Sequence, residues 1–311
     1  MKPKVSVIIP VFNSEKYIER CAHSLFSQTL DELELIFVND KTPDGSIELM
    51  LKVLDAYPHR KSQLKLIEMP VNSKVAAARE AGMKSATGEY MIHCDPDDWV
   101  EKDGYEKLYN KAKETDSDIV LGGMINHYKN GENKIKYYKF KGIGRELLLT
   151  FSLSESLCNT LIRSSIIFQY DIFPFRNINC GEDLNTNLRA FYYSEKVDYI
   201  DEVIYHYDHF NEKSITKSDL YRRIELHLKP NIEFITRFLE KTDLEGIDYL
   251  INEIKFSSKA ALIWSKRSFR FKDAKYFCKL WPESHKDKGF FLQKPFLILI
   301  YRRYLKIRKA I

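Results

Sequence analysis

The sequence predicts an α/β protein with a doubly wound, mostly parallel sheet and a C-terminal helical extension. Short β-branched runs alternate with helical patterns over the first 95 residues, which is typical of parallel strands covered by helices on both faces. After about Tyr221 the apolar residues recur at helical spacing. From a length of 311 residues we expect a catalytic domain over 1–220 and a helical, basic region over 221–311.

Seven elements follow one another in the first part of the chain. Short runs rich in Val and Ile, bounded by turn residues, predict buried strands. Apolar stripes between them predict amphipathic helices, the first with Ser14 as its N-cap. The predicted strands cover 5–12, 33–40, 64–69 and 89–95, and the predicted helices cover 14–28, 44–57 and 74–86.

The pattern is weaker from residue 100 to 220 and becomes clear again beyond it. A helix is predicted over 99–112, with Asp98 as its N-cap, and a turn at Asn130-Gly131 joins two strands. The predicted strands here cover 118–128, 134–140 and 197–209, and the predicted helices cover 181–194, 226–240 and 247–267.

Composition indicates a protein of the cytoplasm, either soluble or adhering to a membrane. The five cysteines form no C-x-x-C pair, which argues for reduced thiols rather than disulfides or a zinc site. The N-terminal apolar run meets Pro10 too early for a signal peptide. No stretch reaches the ~20 apolar residues that a membrane-spanning helix needs.

Polar side chains follow three of the predicted parallel strands. Asn13, Asp40 and Asp95 each come directly after an apolar run. In open parallel sheets, ligands bind outside the carboxyl ends of the strands. The segment "HCDPDDWV" adds Asp97 and Asp98 at the same place, and such crowded carboxylates either cap the next helix or hold a cation.

Three segments together resemble the family 2 inverting glycosyltransferases of bacterial polysaccharide biosynthesis, which have the GT-A fold. They are "VSVIIPVFNSEKYIERCAHSLFSQTLDELELIFVNDKTPDGS", "NSKVAAAREAGMKSATGEYMIHCDPDDW" and "CGEDL". The likeness covers residues 4–100 closely and 180–216 less closely. It implies transfer of a sugar from a UDP-sugar donor to a saccharide acceptor, which in this family is often lipid-linked.

The resemblance assigns a metal site to the D-x-D segment. Asp97 would bind Mn²⁺ or Mg²⁺, and Asp95 would face the metal or the donor ribose. A divalent ion held by one or two carboxylates and by phosphate oxygens neutralises a departing diphosphate. The alternative is that these acids only cap the following helix.

The resemblance also assigns the general base to "CGEDL". Inversion at the anomeric carbon needs a base on the acceptor hydroxyl, and Asp183 is the expected base, with Glu182 as orienting neighbour or substitute. A helix N-terminus is expected to keep either acid ionised. The alternative is that both acids only favour the first turn of a helix.

The donor nucleotide is expected near the first two strand ends. By resemblance, Asp40 reads the uracil edge, while Pro10, Phe12 and Asn13 shape the pocket and Phe12 offers a stacking face. Arg79 reaches the base or the diphosphate, or else lies on a solvated helix face.

Three positions near this pocket depart from the family pattern. Asn39 stands where many relatives have an acid, Lys74 where they usually have glycine, and Glu80 where they have asparagine. These departures affect the uracil contacts and the approach of the backbone to the donor.

Two histidines follow the acidic motif. By resemblance, His206 and His209 contact the diphosphate, and the alternative is that both are packed or surface side chains. His93, beside the D-x-D on a strand, is expected in the core.

The C-terminal region is strongly basic. Residues 259–311 carry 15 Lys and Arg against three acids, a local balance of +12. The segment 294–311 is expected either to lie on an anionic membrane surface or to form a packed helix with a solvated face. Nucleic acid is not an expected partner, because the rest of the chain is acidic and has no recognition motif.

Two other functions compete with glycosyl transfer. A nucleotidyltransferase also combines a doubly wound sheet with paired aspartates, but the first turn lacks the glycine-rich phosphate loop of that class. A catalytically silent nucleotide-sugar-binding scaffold would have less reason to keep Asp40, Asp95, Asp97 and Asp183 together.

Overall fold

A computed structural model of the chain describes residues 2–150, 152–211 and 224–264. The chain divides into two compact units, one ending at Asn231 and the other beginning at Ile232. The domain boundary predicted near residue 220 and the basic tail beyond residue 264 lie outside the described residues.

The described residues contain nine strands and nine α-helices. The strands are β1 (Val5–Val11), β2 (Leu33–Asn39), β3 (Leu64–Glu68), β4 (Tyr90–His93), β5 (Trp99–Val100), β6 (Ile119–His127), β7 (Asn133–Lys136), β8 (Thr160–Arg163) and β9 (Val197–Asp208). The helices are α1 (Ile18–Phe26), α2 (Ser46–Leu54), α3 (Lys74–Ser85), α4 (Gly104–Thr115), α5 (Gly144–Leu149), α6 (Ser164–Gln169), α7 (Glu182–Tyr192), α8 (Lys229–Leu239) and α9 (Ile247–Trp264). A 3₁₀ helix covers Pro58–Gln63, and a π-helical turn covers Ile224–Leu228.

One sheet organises the first unit, in the order β3-β2-β1-β4-β8-β6-β9-β5, with β7 paired to β6. The first four strands are parallel, as their alternation with helices requires, and β6 and β9 form a further parallel pair. Strand β8, which no sequence pattern predicted, enters antiparallel between β4 and β6. The predicted α/β class with a doubly wound, mostly parallel sheet is confirmed.

Close packing explains one glycine of α3. A Cβ at Gly82 would lie 2.6 Å from Cγ2 of Ile8 on β1 and 3.1 Å from Cγ2 of Val38 on β2. Glycine therefore lets α3 approach the central strands more closely than a larger residue would. The position of α3 matters because it carries Arg79.

The register of β1 explains why the chain leaves the sheet at the D-x-D. This strand pairs with β2 as far as Val11↔Asn39, but with β4 only as far as Ile8↔His93. Pro10 has no N–H to continue the ladder toward β4. The pairing of β4 with β1 therefore ends at His93, and Asp95 and its neighbours lie at the carboxyl edge of the sheet.

The helix after the D-x-D begins later than predicted. Trp99 and Val100 form β5, which pairs antiparallel with β9, and α4 begins only at Gly104, after Asp103. The prediction that Asp98 is the N-cap of a helix over 99–112 is therefore wrong. Likewise, α1 begins at Ile18, and the Ser14 hydroxyl bonds the carbonyl of Phe12 instead of capping the helix.

The predicted C-terminal helices appear as α8 and α9 within the described part. In α9, Leu250, Ile251 and Ile254 are buried at helical spacing. Among the described residues, no helix has both the length and the apolar character needed to cross a bilayer.

Candidate active site

A buried arginine connects two acidic segments that lie far apart in sequence. Nη2 of Arg79 is 2.7 Å from Oδ1 of Asp95, and Nη1 is 2.7 Å from Oε1 of Glu182. Nη1 also donates to Oδ1 of Asp183. Only 3% of the Arg79 side chain is exposed, so α3 does not present it on a solvated face. It joins the end of β4 to the start of α7.

The turn before α7 requires glycine. Gly181 has φ of +80°, and an added Cβ would lie 2.7 Å from Nδ2 of Asn231. That amide donates to the carbonyl of Gly181 at 2.7 Å. The turn thereby places Glu182 and Asp183 in the first helical turn, both directed at Arg79.

Burial raises the pKa values of both acids in this cluster. Burial, and then the charge of Asp183, raises the pKa of Glu182 to about 7, while Arg79 opposes that rise. Burial also raises the pKa of Asp183, again opposed by Arg79. Arg79 is therefore the main charge that favours the ionised forms of both acids, while burial opposes them.

The carboxylates of the D-x-D segment have different surroundings. The Asp95 side chain is 28% exposed and bonds Arg79, whereas Asp97 accepts a hydrogen bond from Nδ2 of Asn211 at 2.8 Å. Burial, and then the nearby Asp95 charge, raises the pKa of Asp97 to about 6. Two neighbouring carboxylates thus lie at the strand end, and each raises the cost of ionising the other.

Asp98 is a structural residue of this segment. It accepts the hydroxyl of Tyr205 at 2.6 Å and the backbone N–H of Asp208 at 2.7 Å. The same hydroxyl accepts the backbone N–H of Asp95 at 3.1 Å. Burial raises the pKa of Asp98 well above its usual range. Asp98 therefore fixes the D-x-D segment to β9.

Arg20 reinforces the same connection, and sequence reasoning missed it. Its Nη2 donates to the carbonyl of Asp97 at 2.8 Å and to Oδ2 of Asp208 at 2.6 Å. Its guanidinium carbon lies 3.9 Å from the ring centre of Trp99. No local sequence pattern identifies Arg20, because its acidic partner Asp208 lies 188 positions away in the chain.

Asp40 holds the start of α3. Its two carboxylate oxygens accept the backbone N–H groups of Ser73 at 2.6 Å and Lys74 at 2.8 Å. Each oxygen keeps a second lone pair, so Asp40 can accept a further N–H. Burial raises its pKa, and these two amides oppose the rise.

The strand-end residues near Asp40 differ in exposure. Pro10 is buried within β1, whereas 39% of Phe12 is exposed. Asn13 has φ of +52° and donates its backbone N–H to Oγ1 of Thr42 at 2.8 Å. An exposed aromatic face therefore stands at the carboxyl edge beside the Asp40 segment.

The histidines have packed environments. His206 lies 2.7 Å from Glu101 and 2.9 Å from His127, and it stacks on Trp99 with ring centres 4.7 Å apart. His209 bonds Asn126 at 3.0 Å and stacks on Tyr128 at 4.3 Å. These contacts fix the orientation of both rings.

His93 and two cysteines are buried near the D-x-D segment. His93 is 2% exposed, which confirms the prediction of a core residue. Cys21 and Cys94 are free thiols that share a hydrogen bond, with sulfurs 3.8 Å apart. Within the described ranges, no group of three or more His, Cys, Asp or Glu side chains is arranged to hold a metal ion.

The sequence profile of Glycosyl transferase family 2 matches residues 6–173, a range that includes Asp40, Arg79 and the D-x-D segment. The chain belongs to this family. The enzyme class predicted by resemblance is thereby confirmed, and the nucleotidyltransferase and silent-scaffold alternatives lose their support. This family 2 glycosyltransferase has its acidic motif, Glu182 and Asp183, just beyond the matched range.

Two relatives illustrate how far the similarity extends. The chain is 30% identical over 258 residues to the uncharacterized glycosyltransferase EpsJ of Bacillus subtilis, covering 79% of this chain and 72% of that protein. It is also 30% identical over 210 residues to a poly(ribitol-phosphate) beta-glucosyltransferase of Bacillus spizizenii. That match covers 66% of this chain but only 32% of the longer relative.

Solved structures agree in fold. Residues 1–349 of S. aureus TarS in complex with UDP-GlcNAc match with a TM-score of 0.72 at 20% identity, over 90% of this chain and 80% of that one. A mannosyltransferase of Pyrobaculum calidifontis, in complex with GDP-Man and Mn²⁺, matches with a TM-score of 0.58 at 14% identity, over 98% and 88% of the two chains. The GT-A fold expected from the resemblance is confirmed.

Proposed function

We propose that this chain is a metal-dependent inverting glycosyltransferase that moves a hexose or N-acetylhexosamine from a UDP-sugar to a saccharide hydroxyl. The acceptor is a lipid-linked precursor of a cell-surface polysaccharide. The observation that carries the proposal is the bridge made by Arg79 between Asp95 and the Glu182–Asp183 pair. It brings the carboxylates that face the donor diphosphate and the carboxylates suited to proton transfer into one site.

Asp95 and Asp97 would hold the divalent ion. Both are oxygen donors, as Mn²⁺ and Mg²⁺ prefer, and Mg²⁺ sites often use one or two carboxylates together with substrate phosphates. The neighbouring negative charges that raise the pKa of Asp97 are what a cation would relieve. When bound, the ion would neutralise charge on the departing diphosphate. The mannosyltransferase complex that contains Mn²⁺ supports the same assignment.

Asp183 is the proposed general base. It accepts the proton of the acceptor hydroxyl while that oxygen forms a bond to the anomeric carbon and the bond from this carbon to the diphosphate oxygen breaks. Its side chain is 19% exposed, against 9% for Glu182, so it is the more accessible of the two. Glu182, with a pKa raised to about 7, would hold Arg79 in place.

A uridine donor is favoured over a guanosine donor. The TarS complexes with UDP and UDP-GlcNAc support uridine, and their TM-scores of 0.69 and 0.72 exceed the 0.58 of the GDP-Man complex. Phe12 and Asp40 would supply a stacking face and an N–H acceptor for the base. His206 and His209 would border the diphosphate beside the D-x-D.

The reaction is proposed to take place in the cytoplasm, at the inner face of the membrane. Two adjacent free thiols, Cys21 and Cys94, suit a reducing compartment. The basic segment 294–311 would hold the enzyme at an anionic surface where lipid-linked acceptors are found.

The test is a nucleotide-release assay over a panel of UDP- and GDP-sugars, with Mn²⁺ or with EDTA. We expect UDP release that EDTA abolishes. Asp97→Asn should abolish transfer and weaken UDP binding, because the diphosphate loses its link to the metal. Asp183→Asn should keep UDP affinity nearly unchanged, while turnover falls ~10²-fold or more, as expected for loss of a general base.

The matched control is Asp55→Asn. The Asp55 side chain is 71% exposed and pairs only with Lys61 among the described residues, so this variant should retain full activity. Full activity in EDTA would contradict the metal assignment. A collapse of UDP affinity in Asp183→Asn with turnover preserved would make Asp183 a binding residue and place the base elsewhere.

A further inference from the structure

A lysine occupies a strained backbone position beside the proposed nucleotide pocket. Lys74 has φ of +72° at the first residue of α3, where a side chain is unfavourable compared with glycine. Its N–H is one of the two that Asp40 accepts. The hydrogen bond explains why the backbone adopts this conformation, but it does not explain a lysine side chain, because glycine has the same N–H. Strain at a ligand-facing position is a reason to look for a role of the side chain.

The Lys74 ammonium lies near Phe12 and has no ion-pair partner in the part of the chain that the structure describes. Lys74 is exposed, and its Nζ lies 5.9 Å from the ring centre of Phe12. It makes no ion pair with any residue in the described ranges, whereas the exposed lysines Lys61 and Lys84 pair with Asp55 and Glu80. Burial raises the pKa of Asp40, and the Lys74 charge opposes that rise, so the ammonium lies within electrostatic range of this carboxylate.

We propose that Lys74 is a specificity-determining residue that donates a hydrogen bond to a carbonyl oxygen of the donor's uracil base. The uracil edge presents an N–H between two carbonyl groups. Asp40 accepts the N–H, Lys74 donates to an adjacent carbonyl, and Phe12 stacks against the ring. This inference rests on the proposed UDP-sugar donor and assigns a recognition contact that Asp40 alone cannot make, because a carboxylate only accepts.

The pocket favours a base contact over a phosphate contact. Lys74 lies at the Asp40 and Phe12 end of the carboxyl edge. The proposed diphosphate site is instead at Asp95 and Asp97, where Arg79 already supplies a positive charge next to Asp95.

The experiment measures binding of three ligands to the full chain in the presence of Mn²⁺. UDP and pyrophosphate are titrated by calorimetry, and uridine is measured by ligand-detected NMR. Lys74→Met keeps the length of the side chain and removes its charge. We expect it to lower the affinities for UDP and for uridine by the same factor, about tenfold or more, as for loss of a hydrogen bond to a charged group. Pyrophosphate affinity should not change.

Three further variants test whether the affinity depends on a cationic donor at position 74, on backbone strain at that position, or on any nearby positive charge. Lys74→Arg should retain most of the affinity, because it keeps a cationic donor. Lys74→Gly should lose as much affinity as Lys74→Met while gaining stability, because it relieves the backbone strain. Lys41→Met is the matched control, since Lys41 is also an exposed lysine with positive φ, +57°, and adjoins Asp40 in sequence. It should bind all three ligands like the wild type.

Each contrary result has a distinct meaning. Wild-type affinity for uridine in Lys74→Met overturns the inference, as does a loss seen only with pyrophosphate and UDP, which would indicate a phosphate contact. An equal loss of affinity in Lys41→Met would show that any nearby lysine attracts the anionic ligand, and this result would also overturn the inference. If the unchanged chain itself does not bind UDP, the proposed donor is wrong and the inference fails with it.

Discussion

Replacing Arg79 should lower the free energy of unfolding of the first unit, and the size of this loss should depend on pH. In Arg79→Met the apolar stem is kept, but Asp95, Glu182 and Asp183 lose the guanidinium that they share. All three acids are then left in a site that is buried or partly buried, without the nearest opposite charge.

The magnitude follows from the geometry of the cluster. Arg79 is 3% exposed and its three ion pairs are direct, and removing one partner of a buried pair costs about 3–5 kcal/mol. For a folding unit of 231 residues, this corresponds to a fall in Tm of roughly 6–20 °C.

The pH dependence follows from the raised pKa values. Glu182 has a folded-state pKa of about 7, well above its unfolded value, so its stabilising contribution is full at low pH and is lost as pH rises through 7. Without Arg79 the folded pKa values of Glu182 and Asp183 rise further. The destabilisation of Arg79→Met relative to wild type should therefore be large at pH 8 and small at pH 5.

Denaturant unfolding at pH 5 and pH 8 measures this difference. Arg60→Met is the matched control, because Arg60 is also buried but its guanidinium bonds backbone carbonyls and the side-chain carbonyl of Gln63. It should destabilise the chain equally at both pH values. A loss below about 1 kcal/mol for Arg79→Met at pH 8, or a loss that is the same at both pH values, would refute this account of the cluster.

Two further predictions concern the D-x-D segment and the C-terminal tail. Tyr205→Phe removes the hydroxyl that bonds Asp98 and the backbone N–H of Asp95, so thermal unfolding should show a stability loss of ~1–3 kcal/mol, and turnover should fall. In the control Tyr109→Phe, the lost hydroxyl bonds the less buried carboxylate of Glu89, so stability and turnover should change little. Equal losses in the two variants would contradict the role of Asp98. Full-length chain should float with anionic vesicles at low salt and release at high salt, since each cation near the surface contributes ~1 kcal/mol. A chain ending before Lys294 should not float, and identical behaviour of the two would leave the tail without a membrane role.

The sequence by itself determined the alternation of strands and helices and the residues at strand ends. Periodicity is a local property, so the first four strands and three helices lie close to where the apolar runs predict them. Asp40 and Asp95 could be placed on one edge for the same reason, because the carboxyl ends of parallel strands necessarily lie together. The family was recognisable because its motifs keep their order and spacing.

Only the tertiary structure decided which side chains meet. Arg79 and Glu182 are 103 positions apart, and Asp98 and Asp208 are 110 apart, so no local pattern links either pair. Asp98 is of a residue type that often caps helices, and the sequence therefore predicts a cap there. Because β5 pairs with β9, the helix begins only at Gly104, and Asp98 is a buried hydrogen-bond acceptor. Such contacts depend on how strands from opposite halves of the chain pair, and this pairing is set by burial of the whole sheet. For this reason, the sharing of the Arg79 guanidinium by three acids is visible only in the folded chain.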